Sequence, residues 1–256
     1  MATKEELISE ISFRYLKKFV IETGVIRKSA GYHTKEDHVQ ALARALTKPE
    51  CEFINSCYQN QTDASECSQQ FRTEIRPDEE IVRRHFLDYI QRDINEDKEV
   101  VFEEFPLGEN RADVNYFNGN SFTYELKSPR DSFRRLEKQL DTYSDIFEFI
   151  SVVLPYDFEI PEIATEETGI IRYDYPEFDF NVEQKPAKID SPDARQQLQL
   201  LWIGELEDIF YQDNEADRDM KKSELISNIL NTYSRSEVNN IFKQKIKSRY
   251  GVEHHL

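Results

Sequence analysis

RADVNYFNGNSFTYELKSPRDSFRRLEKQLDTYSDIFEFISVVLP, residues 111 to 155, decides the fold. Its first two segments, RADVNYF and SFTYELK, are rich in β-formers and flank Asn118-Gly119-Asn120, residues that tolerate positive φ, so the stretch opens as a β-hairpin. With a three-residue loop Phe117 pairs with Ser121, and counting back along both strands sets Asp113 opposite Glu125. The two-residue period of a strand then places Thr123, Glu125 and Lys127 on one face and Phe122, Tyr124 and Leu126 on the other. Two carboxylates and an ammonium converge only in this register; a two-residue loop would turn Glu125 to the wrong side.

Ser128-Pro129-Arg130-Asp131 carries a capping hydroxyl, a proline suited to a first turn and an early acid, which predicts a helix starting directly after Lys127. Phe133, Leu136, Leu140, Tyr143 and Phe147 recur at steps of three and four and predict the face that packs on the sheet. FISVVLP is an apolar run of strand length, as expected of a strand covered on both sides, and the order strand, helix, strand implies a parallel pair.

Asp113, then Glu125-Leu126-Lys127, then a helix holding Gln139-Leu140-Asp141-Thr142-Tyr143 resembles the PD-(D/E)XK nuclease superfamily, with the Q-x-x-x-Y helix of its RecB-type branch. The string from Glu104 to Pro155, LLWIGEL near Leu201 and the final helices are similar to an uncharacterised bacterial group within it. Ala112 stands where many members have proline before the aspartate. The resemblance implies an α/β, restriction-endonuclease-like core, a mixed central sheet flanked by helices. It also implies a divalent-metal-dependent DNA nuclease, with a defence or mobile-element setting. In that reading Asp113, Glu125 and the Leu126 carbonyl offer hard oxygens to Mg²⁺ or Mn²⁺, and Lys127 orients the attacking water or takes its proton. Glu79 on the preceding helix, with Glu80 second, matches the family's supporting glutamate; equally, both are first-turn acids facing a helix dipole. Gln139 and Tyr143 are implied to steady the helix and touch the nucleic-acid backbone, with Arg130, Arg134, Arg135 and Lys138 forming a basic rim. The alternative is an inactive nuclease-like fold that serves as a protein- or nucleic-acid-binding regulatory module.

Three regions are expected. Residues 1–75 form a helical N-terminal extension, 76–190 the nuclease core, and 191–256 a helical C-terminal region packed on that core. In the first, KEELISEISFRYLKKFVIETG reads as one helix and HVQALARAL as another, either supporting helices or a helix-turn-helix reader of DNA. Residues 50–75 are polar and poorly periodic, and read as a linker or decorated loop. Cys51, Cys57 and Cys67 lack the close pairs of a zinc site, and His85 reads as a packed or surface histidine. GIIRYDY and FDFNVE read as short strands that either extend the sheet or form a lobe beside it, and SPDARQQLQLLWIGELEDIFYQ as a capped helix.

The net charge of −17 runs against polyanion binding and so has to be located. Residues 156–220 hold 5 basic and 18 acidic side chains, whereas 221–256 hold 7 and 3. The first segment therefore suits an outer face or a basic partner protein, and Lys243, Lys245, Lys247 and Arg249 read as a charged solvated face or as cations offered to phosphates. DNA is the expected partner, with RNA not excluded; oligomeric state has no signal. No apolar stretch approaches the roughly 20 residues of a membrane span, and MATKEELISE has no apolar signal core, so a cytoplasmic protein is expected.

Overall fold

The computed structural model describes residues 2–26, 33–92, 94–95, 98–190, 192–211 and 220–251. It divides into two units, residues 1–81 with Tyr175–Glu177, and residues 82–174 with 178–256.

The first unit is helical: α1 (Lys4–Ser9), α2 (Phe13–Thr23), α3 (Lys35–Ala45), α4 (Lys48–Gln59), and α5 (Ala64–Gln70) running into a π-helical turn, Phe71–Ile75. Side-chain caps set its boundaries. Thr3, Thr34 and Thr47 each form a reciprocal box with an acid three residues on, while Ser12 and Asp63 cap α2 and α5. Ser12 therefore starts a second helix where the sequence predicts one continuous helix. Residues 50–75 are helical rather than a linker. Their buried positions are Glu50, Cys51, Ile54, Cys57, Ala64, Cys67, Ser68 and Phe71, mostly small residues that fill a core without a strong apolar stripe. Ile8, Leu16, Phe19, Leu42, Ile54 and Phe71 are fully buried together, so these helices spend their apolar faces on one another, as supporting helices do.

Helix α6 (Glu79–Gln91) runs into the second unit, which is built on a mixed six-stranded sheet in the order β1-β2-β3-β4-β5-β6. The strands are β1 (Val100–Leu107), β2 (Asn110–Phe117), β3 (Ser121–Leu126), β4 (Phe149–Pro155), β5 (Gly169–Tyr173) and β6 (Phe180–Gln184). Two antiparallel hairpins come first. Leu107 pairs with Asn110 across Gly108, whose φ of 66° needs glycine, and Phe117 pairs with Ser121 across the three-residue loop expected. α7 (Leu136–Ser144) then carries the chain over to β4, parallel to β3; β5 is parallel to β4 and β6 antiparallel to β5. This is the expected α/β core, with the two extra strands in place.

α7 starts later than predicted. Ser128 donates to Asp131 from both its amide and its hydroxyl at 2.8 Å, and Asp131 N–H returns to Ser128 O at 3.0 Å. The residues that read as a helix cap are spent closing a turn, and a 3-10 turn, Phe133–Arg135, leads into α7. Leu136, Leu140, Tyr143 and Phe147 of the expected stripe are buried, while its first member, Phe133, is half-buried in the 3-10 turn. They share one core with Phe102, Phe117, Val152 and Ile170 of the sheet and with α8 (Ala194–Leu200), α9 (Ile203–Tyr211), α10 (Lys222–Thr232) and α11 (Arg235–Gly251). The single helix expected across residues 194–211 breaks at Leu201, where Lys222 Nζ binds the Gln199 and Leu201 carbonyls at 2.7 Å each. Trp202 N–H donates to Glu205 and starts α9 afresh. On the other side of the sheet, Tyr124 and Phe180 meet Phe86 of α6 with ring centroids 5.1 and 5.3 Å apart.

Candidate active site at the end of strand β3

The β2–β3 register runs from Phe117↔Ser121 to Val114↔Tyr124, so the next opposed pair in that count is Asp113 and Glu125. Thr123 Oγ1 donates to Asn115 Oδ1 at 3.2 Å one step back, on the same face. Glu125 is 2% exposed, Lys127 7% and Asp113 9%. Buried charges must be paired or bonded, and these are. Lys127 Nζ lies 2.6 Å from Glu125 Oε1, Tyr143 Oη donates to Glu125 Oε2 at 2.6 Å, and Leu126 N–H donates to Asp113 Oδ2 at 2.8 Å. Lys127 Nζ also reaches Gln139 Oε1 at 3.4 Å, so the first residue of the Q-x-x-x-Y motif faces the lysine and the last faces the glutamate. Burial, then the Glu125 charge, pushes the Tyr143 phenol far above its usual value, which keeps it protonated and a donor.

A further acid was missed in the sequence. β1 pairs Glu103 with Val114 and Phe105 with Ala112, which brackets Glu104 opposite Asp113, and the two offer carboxylate oxygens within 4.8 Å of each other. Glu104 has φ 56°, a left-handed conformation costly for a non-glycine residue, and is held by Arg83 at 2.6 Å and Arg111 at 2.9 Å. The Leu107-Gly108-Glu109-Asn110 turn was the available signal, because a two-residue loop there fixes this pairing. In count, Glu104, Asp113 and Glu125 are successive opposed positions on three neighbouring strands.

The site lies where β3 ends beside its parallel neighbour β4, the kind of strand end at which open α/β sheets bind ligands. The family model for bacteriophage P4 protein cII matches residues 72–256, well over half of the chain. The chain belongs to the bacteriophage P4 protein cII family. In this cII-family chain, every site residue described above falls inside the matched region. No curated protein matches the chain. The solved structure of the SPO1766 protein of unknown function from Silicibacter pomeroyi is similar at 18% identity, over 53% of this chain and 90% of that one, with a TM-score of 0.33.

The remaining expected residues fall as follows. Arg134, Arg135 and Lys138 are exposed at the start of α7, Lys138 reaching Glu109 at 3.2 Å, and Arg130 and Gln139 are half-buried. Tyr143 is fully buried with its hydroxyl turned inward, so a contact with nucleic acid is corrected to a hold on Glu125. Glu79 stands half-buried in the first turn of α6, within the first unit, with Glu80 beside it. Leu126 meets Asp113 through its amide; the carbonyl is the atom the sequence offers to a metal. Each cation of α11 has a partner within the fold, and the side chains of Lys243 and Arg249 are buried on theirs. Lys243 is buried on Glu148 at 3.0 Å, Lys245 pairs with Asp208 at 3.1 Å, Lys247 binds the Lys98 carbonyl, and Arg249 binds Glu205 and stacks 4.4 Å from the Trp202 ring centre. His85 stacks on Phe178 at 4.1 Å, and burial, then Arg84, lowers its pKa. Burial pushes the Cys51 and Cys67 thiols up to about 11 and about 12, where they are poor nucleophiles. Among the described residues, no helix is long and apolar enough to cross a membrane.

Proposed function

We propose that the protein is a divalent-metal-dependent nuclease that hydrolyses phosphodiester bonds of DNA. The observation that carries this reading is the buried assembly at the end of β3, in which Lys127 and Glu125 are in direct contact and Asp113 stands opposite Glu125 in the strand count. The donor set fits Mg²⁺ or Mn²⁺: the side chains offered are carboxylates, hard oxygen donors, and a carboxylate oxygen that accepts one hydrogen bond keeps a lone pair for a cation. Asp113 and Glu125 would hold the ion with the Leu126 carbonyl, and Glu104 adds a carboxylate at the same row. Bound there, the ion would supply Lewis acidity and a water of lowered pKa.

The protein's own groups do the rest. Tyr143 fixes the Glu125 carboxylate, Lys127 orients the attacking water or exchanges a proton with it, and Gln139 shares the ammonium. Glu79 is the family-implied support for the acidic set. Exposed Arg134 and Arg135, with Lys138, face solvent where phosphates would approach, and each contact made would release about one counterion. Membership of a phage protein family suits a cytoplasmic role in mobile-element conflict or defence.

Purified protein should cut plasmid, linear or single-stranded DNA with Mg²⁺ or Mn²⁺ and not with EDTA. Lys127→Ala should abolish cutting while leaving DNA affinity within a few-fold, because affinity is spread over many phosphates. Wild-type protein inert on every DNA and RNA form, or an active Lys127→Ala protein, would sink the reading. The second reading is a binding module, favoured by the −17 charge and by the burial of Lys243 and Arg249 of α11 in ion pairs within the fold. A basic protein on the acidic 156–220 segment would be its partner.

A further inference from the structure

Lys127 lies one residue beyond the end of β3, where a strand normally frays, and yet it is 7% exposed. Its N–H donates to Val153 O at 2.9 Å, which continues the parallel ladder set by Leu126↔Val153. In a parallel ladder a residue whose N–H goes to one neighbour receives, at its carbonyl, the N–H two residues further along that neighbour. For Lys127 that donor would be residue 155, and residue 155 is proline, which has no N–H. The ladder therefore cannot satisfy the Lys127 carbonyl.

The missing donor comes from the next strand. Tyr173 on β5 is fully buried, and its hydroxyl donates to Lys127 O at 2.9 Å. Its ring lies between Phe178, 6.0 Å away, and Phe180, 5.6 Å away, and Phe178 stacks in turn on His85 of α6. Building on the nuclease reading, we propose that Tyr173 is a positioning residue for Lys127: its hydroxyl replaces the N–H that Pro155 lacks, fixing the lysine main chain so that the ammonium sits between Glu125 and Gln139. A lysine side chain has four rotatable bonds, so its tip is placed only if its root is. The β3 end is thereby held from both faces, by Tyr143 through Glu125 on one and by Tyr173 through the main chain on the other.

The test separates this role from general structure by restoring the donor in another way. Tyr173→Phe removes only the hydroxyl, and Pro155→Ala returns a ladder N–H to the place where the Lys127 carbonyl needs it. The readout is the ¹H–¹⁵N resonance of the Lys127 ammonium, assigned by its loss in Lys127→Met and protected from solvent exchange by Glu125. Tyr173→Phe should broaden or abolish it, and Tyr173→Phe with Pro155→Ala should restore it. On DNA, kcat of Tyr173→Phe should fall on the order of tenfold, the equivalent of one hydrogen bond, with KM little changed, and the double variant should recover. If Tyr173→Phe alone does not fold, the double variant still should. An unchanged resonance in Tyr173→Phe, or a double variant no better than the single, overturns the proposal. The resonance needs no turnover, so a wild-type protein that cuts nothing overturns the nuclease reading separately.

Discussion

Glu148 shows how much one side chain contributes to this fold. It is 3% exposed, with Lys243 at 3.0 Å, Lys188 at 3.2 Å and the Ser121 N–H at 2.9 Å. Burial alone would raise its carboxyl, but Lys243, Ser121 and Lys188 together outweigh burial and hold it below its ordinary 4.5. A depressed folded-state pKa means stability that is present above the unfolded-state value and lost as pH falls through the folded one. Wild-type denaturation midpoints should therefore hold above the ordinary carboxyl value and fall as pH drops below about 4.5, while Glu148→Gln should show a flatter profile in that range. Glu148→Gln should also cost about 3 kcal/mol at neutral pH, because Lys243 stays buried without its counter-charge. Tyr143→Phe removes the donor shared by Glu125 and the Arg111 carbonyl, and should destabilise by about 1–2 kcal/mol in the same measurement. Asp113, Glu125 and Lys127 were legible because strand alternation and one loop length fix their relation. The pairing of Glu104 was legible in the Gly108 turn, but its positive φ is a backbone property that a glutamate code does not announce.

Elements were legible where periodicity and turn chemistry agreed, as in the 111–126 hairpin and the buried stripe of α7. They were lost where capping residues had other partners. Ser128 and Asp131 close a turn, and Lys222 ends α8 from outside it, a tertiary contact invisible in the local string. Small buried residues hid α4 and α5 for the same reason: their apolar pattern is too weak to read without the surrounding core. The cationic helices separate in the same way. Arg134 and Arg135 precede α7 and are exposed, so replacing both with alanine should weaken DNA binding and reduce the salt slope by roughly 2 in a titration of affinity against salt. Lys245→Ala with Lys247→Ala should leave affinity and slope unchanged, since both ammoniums already have partners in the fold.

At the scale of the molecule, two cores are built from separate residue sets, one from Ile8 to Phe71 and one from Phe102 to Ile246. Calorimetric unfolding should accordingly depart from a single two-state transition, with a calorimetric enthalpy above the van't Hoff value; equality of the two would show one cooperative block. The acidic balance was legible as a number and its location as a count, but composition could not say that Lys243 and Arg249 of α11 are buried in ion pairs.

The sheet has a strand order identical to its chain order, and this bears on how the protein comes off the ribosome. Each new strand can pair with the one just made, so the sheet can grow in step with synthesis and with short loops to close. The piece that covers its first strand arrives much later: Tyr250 of α11 stacks on Phe102 of β1 at 4.0 Å, and Lys243 of the same helix closes the Glu148 cluster. Until then the apolar face of this eight-residue strand lacks the cover that Tyr250 gives Phe102 and is exposed to other nascent chains, so α11 closes that face last.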